Sequence, residues 1–273
     1  LEKPIEVLFE GSDENIYKPI DNSSFDLVDD IKEDFCFLHV GLWGKGGYGE
    51  DRKDISKLVK VFYESFANKK EQPALLLKTN AATFSIMDRE ECLRKINNIK
   101  SKFPEDWNLP NVYLLHGSLS TEEMNKLYNH SKIKTMVSLT HGEGYGRPLA
   151  EACCSGKLVI APNWSGHVDF LDPKFSVLLN GQVTEVDESA VWEGVIEKGS
   201  GWFTVDYSLA STMLNNFYLN QKAYKSRAHK QAKHISENFS LTKMKEDFKE
   251  LVKKEFPKTA KQIDIKLPDL PSM

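Results

Sequence analysis

The sequence predicts an α/β fold: a doubly wound, mainly parallel six-stranded sheet with helices on both faces and extra helices after it. Two observations carry this. Short runs rich in Val, Ile and Leu alternate with amphipathic stretches, the pattern of a parallel sheet buried on both sides. A glycine-rich loop at 142–146 also runs into Pro148, which suits the first turn of a helix because its missing N–H costs nothing there.

Taken in order, strands are expected at 36–41, 74–79, 112–116, 135–138, 158–161 and 177–179. Helices are expected between them at 54–67, 88–103, 121–131 and 147–155, and beyond them at 208–219, 222–237 and 241–255. Ser120, followed three residues later by Glu123, is a capping-box signature for the helix from Thr121. From Phe256 onward, prolines and charges predict a tail that is loosely ordered or docked elsewhere.

The 273 residues suffice for one large domain with extensions. A formal charge of -4 gives no reason to expect nucleic acid as a partner. No apolar run approaches the roughly 18 residues of a membrane span. The four cysteines, Cys153 and Cys154 adjacent among them, fit neither a disulfide framework nor a metal-ligand spacing, so buried reduced thiols in a cytoplasmic protein are expected. The first residues lack both Met and a hydrophobic run and are expected to be a cut end.

The densest chemistry lies at 140–171. Glu143 sits in the glycine-rich loop, and Glu151 lies about one turn into the following helix, so both carboxylates are expected to reach one cleft. The free N–H groups and positive dipole end of that helix make an anion or polar-ligand site. A helix-start acid alone would explain Glu151, at about 0.3–1 kcal/mol, but not Glu143 or the glycines. Arg52 and Lys53 precede a helix whose N-terminal dipole they oppose, which a bound anion would account for.

The string Glu143, Gly144, Tyr145, Gly146, Pro148, Glu151, Ala152, Gly156, Val159, Ile160 and Ala161, followed by Ser165-Gly166-His167-Val168-Asp169, resembles a known signature. It is the donor site of retaining glycosyltransferases of the two-domain GT-B architecture, family 4 (group 1) type. The resemblance implies a Rossmann-like C-terminal, donor-binding half of a GT-B fold. Gly11, Asp13 and Pro19 similarly match the segment that joins the two halves in that family, although Ser12 stands where an apolar residue is usual. Residues 1–20 are then the hinge, 21–255 the nucleotide-sugar-binding domain, 256–273 the tail, and the N-terminal acceptor domain is missing.

By the same resemblance, Arg52 and Lys53 clamp the diphosphate of a UDP- or GDP-sugar and stabilise the departing nucleotide. Glu151 accepts hydrogen bonds from the ribose hydroxyls. Glu143 is the catalytic acid that contacts sugar hydroxyls and supports the reacting centre, with the N–H groups of Gly144, Tyr145 and Gly146 beside it. Lys78 at a strand end and His141 beside the motif are further donor-binding candidates. His116 to Leu119 lies where the family often contacts the base, and His167 is a plausible cleft residue. The family's arginine after the first-strand glycine is replaced by Leu42, with Lys45 as a possible substitute. No Asp-x-Asp pair occurs, so no metal or other cofactor is expected.

Gly44 to Gly49 spells G-x-G-x-x-G, but the second strand ends in Lys78-Thr79-Asn80 rather than an acid. A lid over the diphosphate, or an ordinary flexible loop, fits better than a dinucleotide fingerprint. The implied function is metal-independent, retaining transfer of a hexose to a carbohydrate, lipid or protein hydroxyl. The alternatives are a sugar-nucleotide epimerase or phosphorylase of the same architecture, or a non-catalytic binding module.

Overall fold

A computed structural model describes residues 5–21, 24–44 and 48–255. Residues 45–47, the centre of the expected lid, and the expected tail lie outside the described residues. After a short helix α1 (Asp26–Asp29), strands β1 (Cys36–Val40), β2 (Ala74–Lys78), β3 (Val112–Leu115), β4 (Ile133–Val137), β5 (Leu158–Pro162) and β6 (Val177–Leu179) form one sheet. Its order is β3-β2-β1-β4-β5-β6, and every pairing is parallel. The six expected strands are all present, within a residue or two at each end.

The strands are apolar on both faces, and their alternation divides the core in two. Phe37, Leu75, Leu77, Val137, Leu158 and Ile160 share one cluster with α2 (Ile55–Phe66) and the first half of α6 (Tyr207–Asn238). Leu38, Leu76, Met136 and Val159 point the other way, toward α4 (Thr121–Asn129) and α5 (Arg147–Cys154). The period-two side-chain alternation of a strand requires this division. All four cysteines are free and buried.

Helix ends follow local chemistry. α3 (Ile86–Lys100) starts two residues earlier than expected because Ser85 caps it, accepting from the Asp88 N–H at 3.2 Å. The capping box at Ser120 and Glu123 is formed in both directions. The helices expected at 208–219 and 222–237 are one rod, α6, broken only at Asn220, whose φ of -121° and ψ of 24° leave helical geometry. The Asn220 side chain donates to the Asn216 carbonyl at 3.0 Å, supporting the bend. Leu214, Phe217 and, past the kink, Ala228 pack in one core cluster, and Ile235 in the other.

Besides the short helix α1, a further pair of strands was not anticipated. Strands β7 (Gly181–Glu185) and β8 (Gly201–Val205) form an antiparallel hairpin after β6. Their Val, Thr, Trp and Phe are strand-favouring residues, but the sequences Gly-Gln-Val-Thr-Glu and Gly-Trp-Phe-Thr-Val lack a clean apolar–polar alternation.

The segment before α1 lies along the domain. Ser12 pairs with Ser240, its N–H reaching the Phe239 carbonyl at 3.0 Å and its carbonyl accepting from Leu241 at 2.7 Å. Tyr17 is buried, edge-on to Tyr128. α7 (Leu241–Glu255) follows, with no buried residue. Gly11 fits because it has no side chain: a Cβ there would lie 2.6 Å from Leu241 Cα and 2.8 Å from the Ser240 carbonyl oxygen. Gly11→Ala is expected to cost about 1–3 kcal/mol of stability, as overpacking does, read as a lower denaturant midpoint at unchanged slope.

Candidate functional site

β1 and β4 are parallel neighbours whose chains leave in opposite directions across the sheet, toward β2 and β5. A doubly wound sheet opens a crevice at this switch point, outside the carboxyl ends of the strands. The loops after β1 and β4 therefore meet there, and they carry Arg52, Lys53 and Glu143.

The two loops are joined through backbone and side chain. The Arg52 carbonyl accepts from the His141 N–H at 2.9 Å and from the Thr140 hydroxyl at 3.2 Å. The Arg52 guanidinium donates to the Gly142 carbonyl at 2.6 Å and lies 3.6 Å from the Glu143 carboxylate. Lys53 Nζ donates directly to Glu143 Oε1. Burial disfavours the charged form of Glu143, but the Lys53 contact, its hydrogen bond and the Arg52 charge together outweigh it and hold the carboxyl below its ordinary range. Two cations face this one carboxylate, an arrangement with positive charge in excess.

Glu143 is fixed from behind by the turn after β5. Its N–H donates to Ser165 Oγ at 2.9 Å, the Ser165 hydroxyl donates to the Glu143 carbonyl at 2.5 Å, and the Gly166 N–H reaches the same carbonyl at 3.0 Å. The contact is so close that a Cβ on Gly166 would lie 1.9 Å from the Gly144 carbonyl oxygen. Gly146 takes a left-handed φ of 94° as it starts α5, a region open to glycine and costly to other residues. The Ser-Gly-His turn expected as part of the motif thus acts as a brace for the acidic loop.

Glu151 lies in the first turn and a half of α5, as expected, but the single cleft expected for both acids is divided. Arg52, Glu143, Gly144 and Ser165 line one cavity of about 460 Å³. Glu151 lines another of about 210 Å³, with Tyr17, Thr121, Tyr145 and Arg147. The reason is the direction of α5, which turns Glu151 toward α4, where it accepts from the Tyr128 hydroxyl at 3.0 Å. Burial raises the Glu151 carboxyl, opposed by Tyr128 and Arg147. The loop 143–147 borders both cavities. Its Tyr145 ring packs inward on Phe170, with centroids 4.9 Å apart.

The remaining candidates have structural partners. Lys78 is buried at the end of β2 and donates to the Gly117 carbonyl at 2.5 Å, tying the loop after β3 to its neighbour. His116 bonds Asp88 at 2.8 Å, and Asp88 also accepts from the N–H groups of Ala81, Ala82 and Thr83. His167 is buried and bonds the Pro162 carbonyl at 2.7 Å. His141 borders the larger cavity by its edge, yet its Nδ1–H donates to the Phe203 carbonyl of β8 at 2.8 Å and its ring lies flat on Trp202, 3.9 Å away at 10°.

Behind His141 stands Asp54, fully buried, with a left-handed φ of 52°. The Tyr207 hydroxyl donates to Asp54 at 2.6 Å, and His141 Nε2 lies 3.9 Å from the same carboxyl oxygen. Burial pushes the Asp54 carboxyl up to about 8. Sequence reasoning missed Asp54 and Trp202, and it placed Ser165 in the motif without its bracing role. Asp54 opens a helix and reads as an ordinary helix-start acid, while the partners of the others come from distant segments.

No known family model and no curated protein matches the chain. Solved structures do match it in shape. The C-terminal domain of a glycosyl transferase group 1 family protein, LpcC of Francisella tularensis, is matched over 100% of its length and 85% of this chain, at 15% identity and a TM-score of 0.55. The fold is that of a GT-B C-terminal domain. HepE of Anabaena, in complex with UDP and glucose, superposes on 91% of this chain at 14% identity and a TM-score of 0.62. Sucrose-phosphate synthase of Thermosynechococcus elongatus superposes on 90% at 15% identity and a TM-score of 0.59. This chain spans 57% and 51% of those two proteins, about half of each.

Two outcomes test the site as described. Gly166→Ala is expected to displace the 143–146 loop, read as altered amide shifts at Glu143 and Gly144 with the sheet resonances unmoved. Asp54 penalises the folded state once the unfolded carboxyl ionises. Stability is therefore expected to fall as pH rises from the ordinary value of 3.8 to about 8, and to level off above. Asp54→Asn, which keeps the shape and tolerates the left-handed backbone, is expected to flatten that slope in denaturant titrations at several pH values.

Proposed function

We propose that this chain is the nucleotide-sugar-binding half of a retaining, metal-independent glycosyltransferase. The observation that carries this reading is the meeting of Arg52, Lys53 and Glu143 at the switch-point crevice of a GT-B C-terminal fold. Cleaving a sugar–phosphate bond builds negative charge on the leaving diphosphate, and fixed cations in a partly buried crevice favour that transition state. Arg52 and Lys53 supply these cations. Glu143, held in place by Ser165, orients the hydroxyls of the transferred hexose and supports positive charge developing at its anomeric carbon. Glu151, in the second cavity that the 143–147 loop borders, takes the ribose. HepE, which shares the fold, has been solved with UDP-glucose, which favours UDP over GDP as the first nucleotide to test.

The acceptor, a carbohydrate, lipid or protein hydroxyl, would enter between this half and an N-terminal domain, so the chain alone is expected to bind nucleotide and transfer poorly. Calorimetric titration with UDP, GDP and their sugars tests the reading. Arg52→Ala is expected to weaken nucleotide binding by about 1.5–3 kcal/mol, the worth of a charge-assisted contact, which is tenfold or more. Glu151→Gln, which keeps a partner for Tyr128, should also weaken it. Glu143→Gln should spare UDP and reduce the added effect of the sugar. Equal affinity in all three variants would contradict the assignments.

A further inference from the structure

We propose that the β7–β8 hairpin builds a pyranose subsite beside Glu143, in which Trp202, Val195 and Ile196 take the C–H face of a sugar ring and Glu143 and Glu197 its hydroxyls, next to Arg52. All six residues line the same cavity of about 460 Å³, a size usual for small-molecule sites. The inference deepens the donor reading by assigning the hairpin to carbohydrate.

The hairpin is anchored to the acidic loop. Phe203 N–H donates to the His141 carbonyl at 3.3 Å, and the His141 ring donates back to the Phe203 carbonyl at 2.8 Å. Across the strands, the hydroxyls of Thr184 and Thr204 bond at 2.6 Å, and Val186 N–H reaches Ser200 at 2.9 Å. Stacking on His141 then fixes the plane of the Trp202 indole, so the wall is set before any ligand arrives. Fixing the wall in advance removes an ordering cost from binding.

The chemistry of the two sides selects the ligand. One wall is indole and branched aliphatic, with Val195 63% exposed. The other presents two carboxylates and a guanidinium. Glu143 and Glu197 accept hydrogen bonds and so suit a ring bearing many hydroxyl donors, while Arg52 beside them is left for the diphosphate. A sugar ring has such donors at its rim and a weakly positive C–H face, which complements the negative face of an indole. That ring comes either from the nucleotide-linked hexose or from a saccharide acceptor.

The test titrates the full chain with UDP, with UDP-glucose, UDP-galactose, UDP-N-acetylglucosamine and GDP-mannose, and with the corresponding free sugars and maltose, with and without UDP. Tryptophan emission and calorimetry report binding. The variants are Trp202→Ala and, because Trp202 also packs on His141, the uncharged Val195→Asn at the exposed hairpin loop. A sugar-bearing ligand is expected to bind with a change in emission, and both variants to weaken it about tenfold while UDP affinity stays within twofold. A gain of nucleotide sugar over plain nucleotide, lost in the variants, identifies the donor hexose. Binding of free saccharide, lost in the variants, identifies an acceptor. If no sugar binds beyond the nucleotide, or if neither variant changes sugar affinity, the subsite is overturned. Failure of UDP and GDP to bind overturns the donor reading instead, since free saccharides report on the hairpin without nucleotide.

Discussion

The clasp between the loops after β1 and β4 is the constraint on which the site depends. Arg52 and Lys53 come from one loop and Thr140, His141, Gly142 and Glu143 from the other, and backbone and side-chain bonds tie them at several points. Only the parallel pairing of β1 with β4, with helices departing to either side, makes these loops neighbours. A partly buried ion pair of this kind adds little net stability, because desolvation offsets much of the attraction. Its effect is positional: it sets two cations and a carboxylate at one point of the crevice.

Around that clasp the structure adds two braces. The turn at Ser165 and Gly166 grips the backbone of Glu143, and the hairpin grips His141 from the other side. Both braces come from segments that follow the acidic loop in sequence, β5 and β6 having first returned the chain to the same end of the sheet. The acidic loop is therefore pinned on both flanks, which is the preorganisation an electrostatic site requires.

Much of this was legible beforehand. The six strands were readable because parallel strands buried on both faces are continuous apolar runs, and β2, with Leu75, Leu76 and Leu77, is the plainest case. The helices were readable from periodicity and caps, Ser120 with Glu123 above all. The two-helix reading of 208–237 located the bend at Asn220 but not the continuity of the rod across it. The hairpin escaped notice because its strands are glycine-led and β7 is exposed almost throughout, so that only Phe203 and Val205 of β8 carry a core pattern. In the site, Arg52, Lys53 and Glu143 meet while Glu151 lines another cavity, and His141, Lys78 and His116 bond protein partners that no spacing reveals.

The sequence by itself determined the sheet, its strand content and the chemical inventory of the crevice, because hydrophobic period and turn chemistry are local properties of the chain. Tertiary structure alone decided that Glu143 and Glu151 face separate cavities, that Ser165 holds the acidic loop, and that an indole from a distant hairpin stands over His141. The physical reason is that a polar side chain's partner is set by which loops the strand order brings together. That order is fixed by packing across the whole domain.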